Sequence, residues 1–265
     1  MILQTRNLSL QHPGKLLCRN LNLTINPGEC WAILGRNGCG KTTLIHALGG
    51  LHQAKAGQDA EQDSSVTIAG MALGQWSRRE LARNLGILLQ DEPGEFWGTV
   101  HEYVLLGRHP HATSMLGWQA ADLDMTSRAI EQMELASLAD RLLVTLSGGE
   151  RQRARIALLL AQSPKCYLLD EPLQHLDLRH QLETMILFSE LAKRGSSIAM
   201  VLHDIGWAVR FCDHALLLFD DGHAMSGSID EVLKRDNLEA LYHCNLGEFI
   251  AGRQHHFFPQ TVPSV

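Results

Sequence analysis

The stretch Gly35-Arg36-Asn37-Gly38-Cys39-Gly40-Lys41-Thr42-Thr43 fits G-x-x-x-x-G-K-[ST] and constrains the fold more than any other feature of the chain. Such a loop works only between a strand and a helix. The apolar run Cys30-Trp31-Ala32-Ile33-Leu34 before it suits a strand buried on both faces. A helix from about Lys41 to Leu48, stopped by Gly49-Gly50, follows it. In that setting Gly35, Gly38 and Gly40 let the backbone curl until its N–H groups face an anion. The helix start adds its positive dipole end. Lys41 brings a mobile cation to terminal phosphates, and the Thr42 hydroxyl can ligate Mg²⁺. Arg36, Asn37, Cys39 and Thr43 belong to the same binding loop. The motif indicates phosphoryl chemistry on a nucleoside triphosphate and leaves hydrolase and kinase both open.

The flanking pattern predicts an α/β fold of the P-loop NTPase kind with a largely parallel sheet. Early residues read as strands, with Leu21, Leu23 and Ile25 alternating. Further strands are expected at Val66–Ala69, Leu85–Leu89, Cys166–Leu169, Ser197–Leu202 and Ala215–Phe219. Helices are expected at Ser77–Asn84, Glu150–Gln162, near Arg179–Arg194 and around Ile229–Arg235. The polar segment Gln53–Ser65 reads as an exposed loop. Residues 91–145 carry helical patterns, Val100–Leu106 and Asp122–Leu138, with no strong strand. That predicts a helical subdomain inserted in a core of 1–90 and 146–265, one domain in all.

Composition removes several alternatives. The 265 residues carry a net charge of −6, which disfavours general nucleic-acid binding. No apolar run approaches the ~18–20 residues that cross a bilayer. The first residues lack the two halves of a secretory signal, which predicts a cytosolic chain. None of the six cysteines forms C-x-x-C, against a zinc ribbon or redox dithiol. His101, His109 and His111 have no carboxylate or Cys at metal spacing, and His255-His256 read as solvated.

Two further constellations carry chemistry. Cys166–Leu169 is an apolar strand ending in Asp170-Glu171-Pro172. Ligands gather at the carboxyl ends of parallel strands, so Asp170 can hold Mg²⁺ and Glu171 can act as general base on a water. Leu146-Ser147-Gly148-Gly149-Glu150 opens a helix with a good N-cap and free backbone N–H groups, a second anion site.

Together, the phosphate loop, the LSGGE stretch, the Asp170-Glu171 strand end and His203 after another strand resemble the ATP-binding cassette (ABC) ATPases over nearly the whole chain. The resemblance implies ATP and Mg²⁺ as ligands and a head-to-tail homodimer. In it, Ser147, Gly148, Gly149 and Glu150 face ATP held by the second copy. It implies that Gln90 touches Mg²⁺ and the lytic water, that His203 contacts the γ-phosphate, and that Leu176-Asp177 crosses the dimer interface. Three departures from the family pattern stand out. His12 stands where an aromatic ring usually stacks on adenine. Cys39 replaces a small residue, and its place near a helix start predicts a lowered thiol pKa and inhibition of ATP binding on alkylation. Gln174-His175 replace small residues before Leu176.

Val104-Leu105-Leu106-Gly107-Arg108-His109-Pro110-His111 and Ser226–Leu233 resemble ATPases that power importers of iron–siderophore, haem and cobalamin. The resemblance implies integral-membrane permease subunits as partners, indirectly a substrate-binding protein, and a peripheral place on the cytoplasmic face of the membrane. A permease helix would dock along Asp91–Thr99, with Glu92, Glu95 and Phe96 as contacts. The alternative is a soluble, non-transport cassette ATPase of the iron–sulfur assembly type. A small-molecule kinase would leave Leu146–Glu150 and His203 without a role.

Overall fold

Two long antiparallel strands open the chain in the computed structural model, which describes residues 1–12, 15–51, 64–90, 94–112, 117–251 and 254–260. They are β1 (Leu3–His12) and β2 (Lys15–Ile25), paired from Leu3↔Ile25 to His12↔Lys15. The chain then enters a second sheet through β3 (Cys30–Gly35), whose six residues are all buried. The helix α1 (Lys41–Leu48) follows at the predicted place and buries Leu44, Ile45 and Leu48. The strands β4 (Ser65–Ile68) and β5 (Met71–Ala72) complete a four-stranded sheet of order β2-β1-β4-β5. Apart from its last residues, the expected loop Gln53–Ser65 lies outside the described residues, and Ser65 already belongs to β4.

Next come α2 (Arg78–Asn84), β6 (Leu85–Leu88), α3 (Val100–Leu105), α4 (Ala120–Gln132), α5 (Gly148–Gln162) and β7 (Cys166–Leu169). Then follow α6 (Leu178–Lys193), β8 (Ser197–Val201), α7 (Ile205–Phe211), β9 (His214–Leu218) and β10 (Ala224–Ser228). The central sheet has the order β10-β9-β3-β8-β7-β6. Its pairings are parallel except for β10 on β9. Pleating splits β3 between two cores. Cys30, Ala32 and Leu34 face one that includes residues of α3, α4, α5 and α6, while Trp31 and Ile33 face the core shared with α1 and the antiparallel sheet. Each buried Leu or Ile contributes about 1.5–3 kcal/mol against exposure, so both faces of β3 hold it.

Several boundaries differ from expectation. The segment Asp122–Leu138 is not one helix: α4 stops at Gln132, Glu134 adopts φ 53°, and a separate turn covers Ala136–Leu138. A left-handed non-glycine residue ends an α-helix because its carbonyl leaves the axis direction. The tail helix ends at Val232 as α8 (Ile229–Val232), and a second, α9 (Arg235–Tyr242), begins beyond it. The helix α7, the edge strand β10 and the hairpin β11 (Leu246–Ala251) with β12 (Gln254–Pro259) were not expected. Among the described residues no helix is long and apolar enough to cross a membrane.

The Leu106–His111 segment forms a tight helical turn against α5. A Cβ on Gly107 would come within 2.2 Å of the Leu158 carbonyl oxygen, so only glycine permits this approach. Buried Arg108 donates to Asp122 at 3.0 Å and to the Ala161 carbonyl at 2.7 Å. The motif that suggested an importer subfamily is thus a joint between the turn, α4 and α5.

Candidate functional site

Parallel strands end at a common edge, and the central order puts β3, β8, β7 and β6 side by side. The residues leaving those strands are the phosphate loop, His203, Asp170-Glu171 and Gln90. Four segments far apart in sequence therefore meet at one edge. A cleft of about 500 Å³ opens there, lined by His12, Asn37, Gly38, Gly40, Lys41, Thr42, Thr43, Gln90, Glu171 and His203. Ten of the expected site residues share this one cavity.

Gly38 and Gly40 adopt φ 77° and 107°, a left-handed backbone that lets successive N–H groups turn inward. Lys41 Nζ donates to the carbonyls of Gly35 at 2.8 Å and Arg36 at 3.0 Å, so the loop closes around its own cation. Arg36 turns outward instead, to Asp220 at 2.6 Å. Cys39 faces the core at 1% exposure rather than the cleft. Burial pushes its thiol pKa up, outweighing the nearby Lys41. The expected lowered pKa is therefore wrong: desolvation wins over the helix start.

Asp170 is 1% exposed and neither carboxylate oxygen has a hydrogen-bond partner. Burial raises its pKa; the nearby Thr42 hydroxyl and Lys41 pull it down, though without an aligned bond. Orphaned carboxylate oxygens beside a threonine hydroxyl form a hard oxygen set that suits Mg²⁺. The next residue, Glu171, adopts φ 52°. That conformation costs of order 1–2 kcal/mol for a non-glycine residue and takes its side chain out of the strand's alternation. Glu171 Oε1 lies 2.7 Å from His203 Nε2. A carboxylate held by an imidazole at the cleft wall can accept a proton from water.

Ser147 caps α5: its Oγ accepts from Glu150 N at 3.3 Å and donates to Glu150 Oε2 at 2.8 Å. The Ser147 amide also donates to Glu150, and these bonds lower the Glu150 pKa. A Cβ on Gly149 would meet the His175 carbonyl at 2.9 Å, so glycine lets the following turn lie close. Among the described residues lining the nucleotide-sized cleft, Ser147, Gly148, Gly149 and Glu150 do not appear. Gly148 and His175 instead line a neighbouring groove of about 470 Å³ with Glu95, Phe96 and Arg151. Gln90 lines both cavities. Glu92 lies outside the described residues. Leu176 is buried, and Asp177 caps α6 through His180 N at 2.9 Å.

Sequence reasoning missed two sets of residues. Gln152 donates to the Pro172 carbonyl at 3.0 Å and accepts from Arg155 at 2.9 Å, while Arg155 also holds the carbonyls of Leu89 and Gln90. That strut ties α5 to the turns bearing Gln90 and Glu171. Lys15 also lines the cleft and donates to the Gly38 carbonyl at 3.1 Å. The two-residue Pro13-Gly14 turn signal, which pairs position 12 with 15, could have found it.

The ABC transporter family profile matches residues 18–174. The hemin import ATP-binding protein HmuV of Gloeobacter violaceus is 37% identical, over 90% of this chain and 86% of that protein. The ferric enterobactin transport ATP-binding protein FepC of Escherichia coli is 35% identical, over 91% of this chain and 86% of that protein. Among solved structures, one described as a metal-chelate type ABC transporter in an inward-facing conformation aligns with a TM-score of 0.81 and 27% identity, covering 98% of both chains.

Proposed function

Because the chain belongs to the ABC transporter family, we propose that it is the ATP-hydrolysing subunit of an importer, energising uptake of a metal chelate such as an iron–siderophore or haem. The observation that carries this is the single cleft joining Lys41, Thr42, Gln90, Glu171 and His203. Lys41 and the loop amides grip the phosphates. Glu171 takes the proton of the attacking water, and His203 orients Glu171 and meets the γ-phosphoryl oxygens. Thr42, Asp170 and Gln90 would hold Mg²⁺, which would neutralise charge on the phosphates. His12 would stack on the base.

The Ser147–Glu150 helix start does not line this cleft, which supports a head-to-tail homodimer in which each copy completes its twin's site. ATP binds the closed dimer more tightly than the open one, and that difference drives closure. Permease subunits, and through them a substrate-binding protein, would receive the motion at the groove of Glu95 and Phe96, which shares Gln90 with the cleft. The subunit would sit peripherally on the cytoplasmic face. Residues 91–145 would move as a helical lever against a core of 1–90 and 146–265.

The names of the relatives favour the importer over a soluble assembly ATPase. The test is uptake of a radiolabelled ferric chelate or haem by cells in which Lys41→Ala replaces the wild-type chain, with co-purification from detergent-solubilised membranes. Uptake should be lost and membrane subunits should co-purify. Unchanged uptake of every chelate tried, with only soluble partners recovered, would overturn the proposal.

A further inference from the structure

We propose that Lys15 is a second phosphate-gripping cation of the cleft, acting from the β1–β2 hairpin and offsetting the small ring at position 12. The proposal deepens the ATPase reading above and rests on it. His12 and Lys15 are directly opposed partners at the hairpin tip, so their side chains leave on one face. Leu17, two residues on, lines the same cleft. It packs beneath the phosphate loop so closely that a Cβ on Gly40 would lie 2.9 Å from Leu17 Cβ. The hairpin face is therefore seated on the loop, and Lys15 and His12 both open into the cleft.

Lys15 Nζ rests on the Gly38 carbonyl at 3.1 Å, further along the loop than the carbonyls of Gly35 and Arg36 that hold Lys41. A phosphate oxygen is a stronger partner for an ammonium group than a neutral carbonyl. Asp220 balances Lys15 only loosely, at 3.8 Å, because it is already bonded by Arg36 at 2.6 Å. The side chain is 44% exposed, free to swing on its flexible stem toward the phosphates nearer the base. An imidazole offers less stacking area than a larger aromatic ring. Affinity then leans more on the phosphates, and a cation between base and loop is placed to supply it.

The test uses the isolated full chain and competition against a fluorescent ATP analogue, with ATP, ADP and GTP as competitors. Lys15→Gln should weaken ATP and GTP by the same factor, about five- to tenfold for an exposed charge-assisted contact, and flatten the salt dependence of binding. Lys15→Arg should restore most of the affinity. Unchanged ATP affinity in Lys15→Gln would overturn the proposal. So would a changed ATP-to-GTP ratio, which would assign Lys15 to the base. Lys41→Ala separates the two levels: if it binds ATP as the wild type does, the cleft reading itself fails. If only Lys15→Gln is silent, that reading stands and this proposal falls.

Discussion

At the residue scale, Asp170 sets stability against chemistry. Its folded pKa is raised, so the proton is held more firmly in the folded state than in the unfolded one. Stability therefore falls as pH rises from the ordinary carboxylate range through the raised value, and above it the penalty of the ionised form is complete. An unsatisfied buried group costs about 1–3 kcal/mol. Asp170→Asn should raise the nucleotide-free Tm at pH 7 by roughly 2–4 °C per kcal/mol recovered, while abolishing Mg²⁺-dependent hydrolysis. A lower Tm in differential scanning calorimetry would contradict this. For Glu171→Gln, phosphate release should fall at least about a hundredfold with ATP binding retained, as expected for loss of a base rather than of a binding group. The loop and the paired acids were legible because glycine, lysine and carboxylate spacing leaves little freedom. The state of Cys39 was not, because its side chain's direction depends on packing. Its burial predicts that maleimide at pH 7 labels exposed Cys244 and spares Cys39 in the folded chain, read by peptide mass spectrometry.

At the scale of elements, legibility followed local chemistry. The start of α5 was readable because Ser147 and Glu150 make a capping box, although Gly148 and Gly149 join the helix two residues earlier than expected. The hairpin β11–β12 was not readable: apart from Leu246 its apolar residues are bunched, Phe249-Ile250-Ala251 and Phe257-Phe258, with no alternation over either strand. The Leu106–His111 turn shows the opposite case, a visible motif with a hidden role. Its Arg108–Asp122 pair is nearly dry, with side chains 11% and 7% exposed. Removing one partner leaves the other charge buried, so Asp122→Ala should cost about 3–5 kcal/mol in chemical denaturation. The double substitution Arg108→Met with Asp122→Leu should recover most of that loss, since neither charge is then stranded.

At the scale of the molecule, periodicity gave the α/β class but not the strand order. Chain order runs β3, β6, β7, β8, β9, whereas space runs β9, β3, β8, β7, β6. That permutation, set by crossover connections, gathers Gln90, Glu171 and His203 beside Lys41 and leaves Ser147 outside. One consequence tests the two-copy site directly. Lys41→Ala alone and Ser147→Arg alone should each silence turnover in a homodimer, since every site then lacks one half. If the halves come from different copies, mixing the two variants creates a dimer with one doubly broken site and one intact site. Turnover should reappear on mixing, with a dimer seen by sedimentation in the presence of Mg²⁺ and ATP. If both halves served one site within a single chain, every site in the mixture would still carry a defect and turnover would stay absent. Loss of the α5 cap in Ser147→Arg costs about 1 kcal/mol and cannot imitate the rescue, because a misfolded partner would complement nothing.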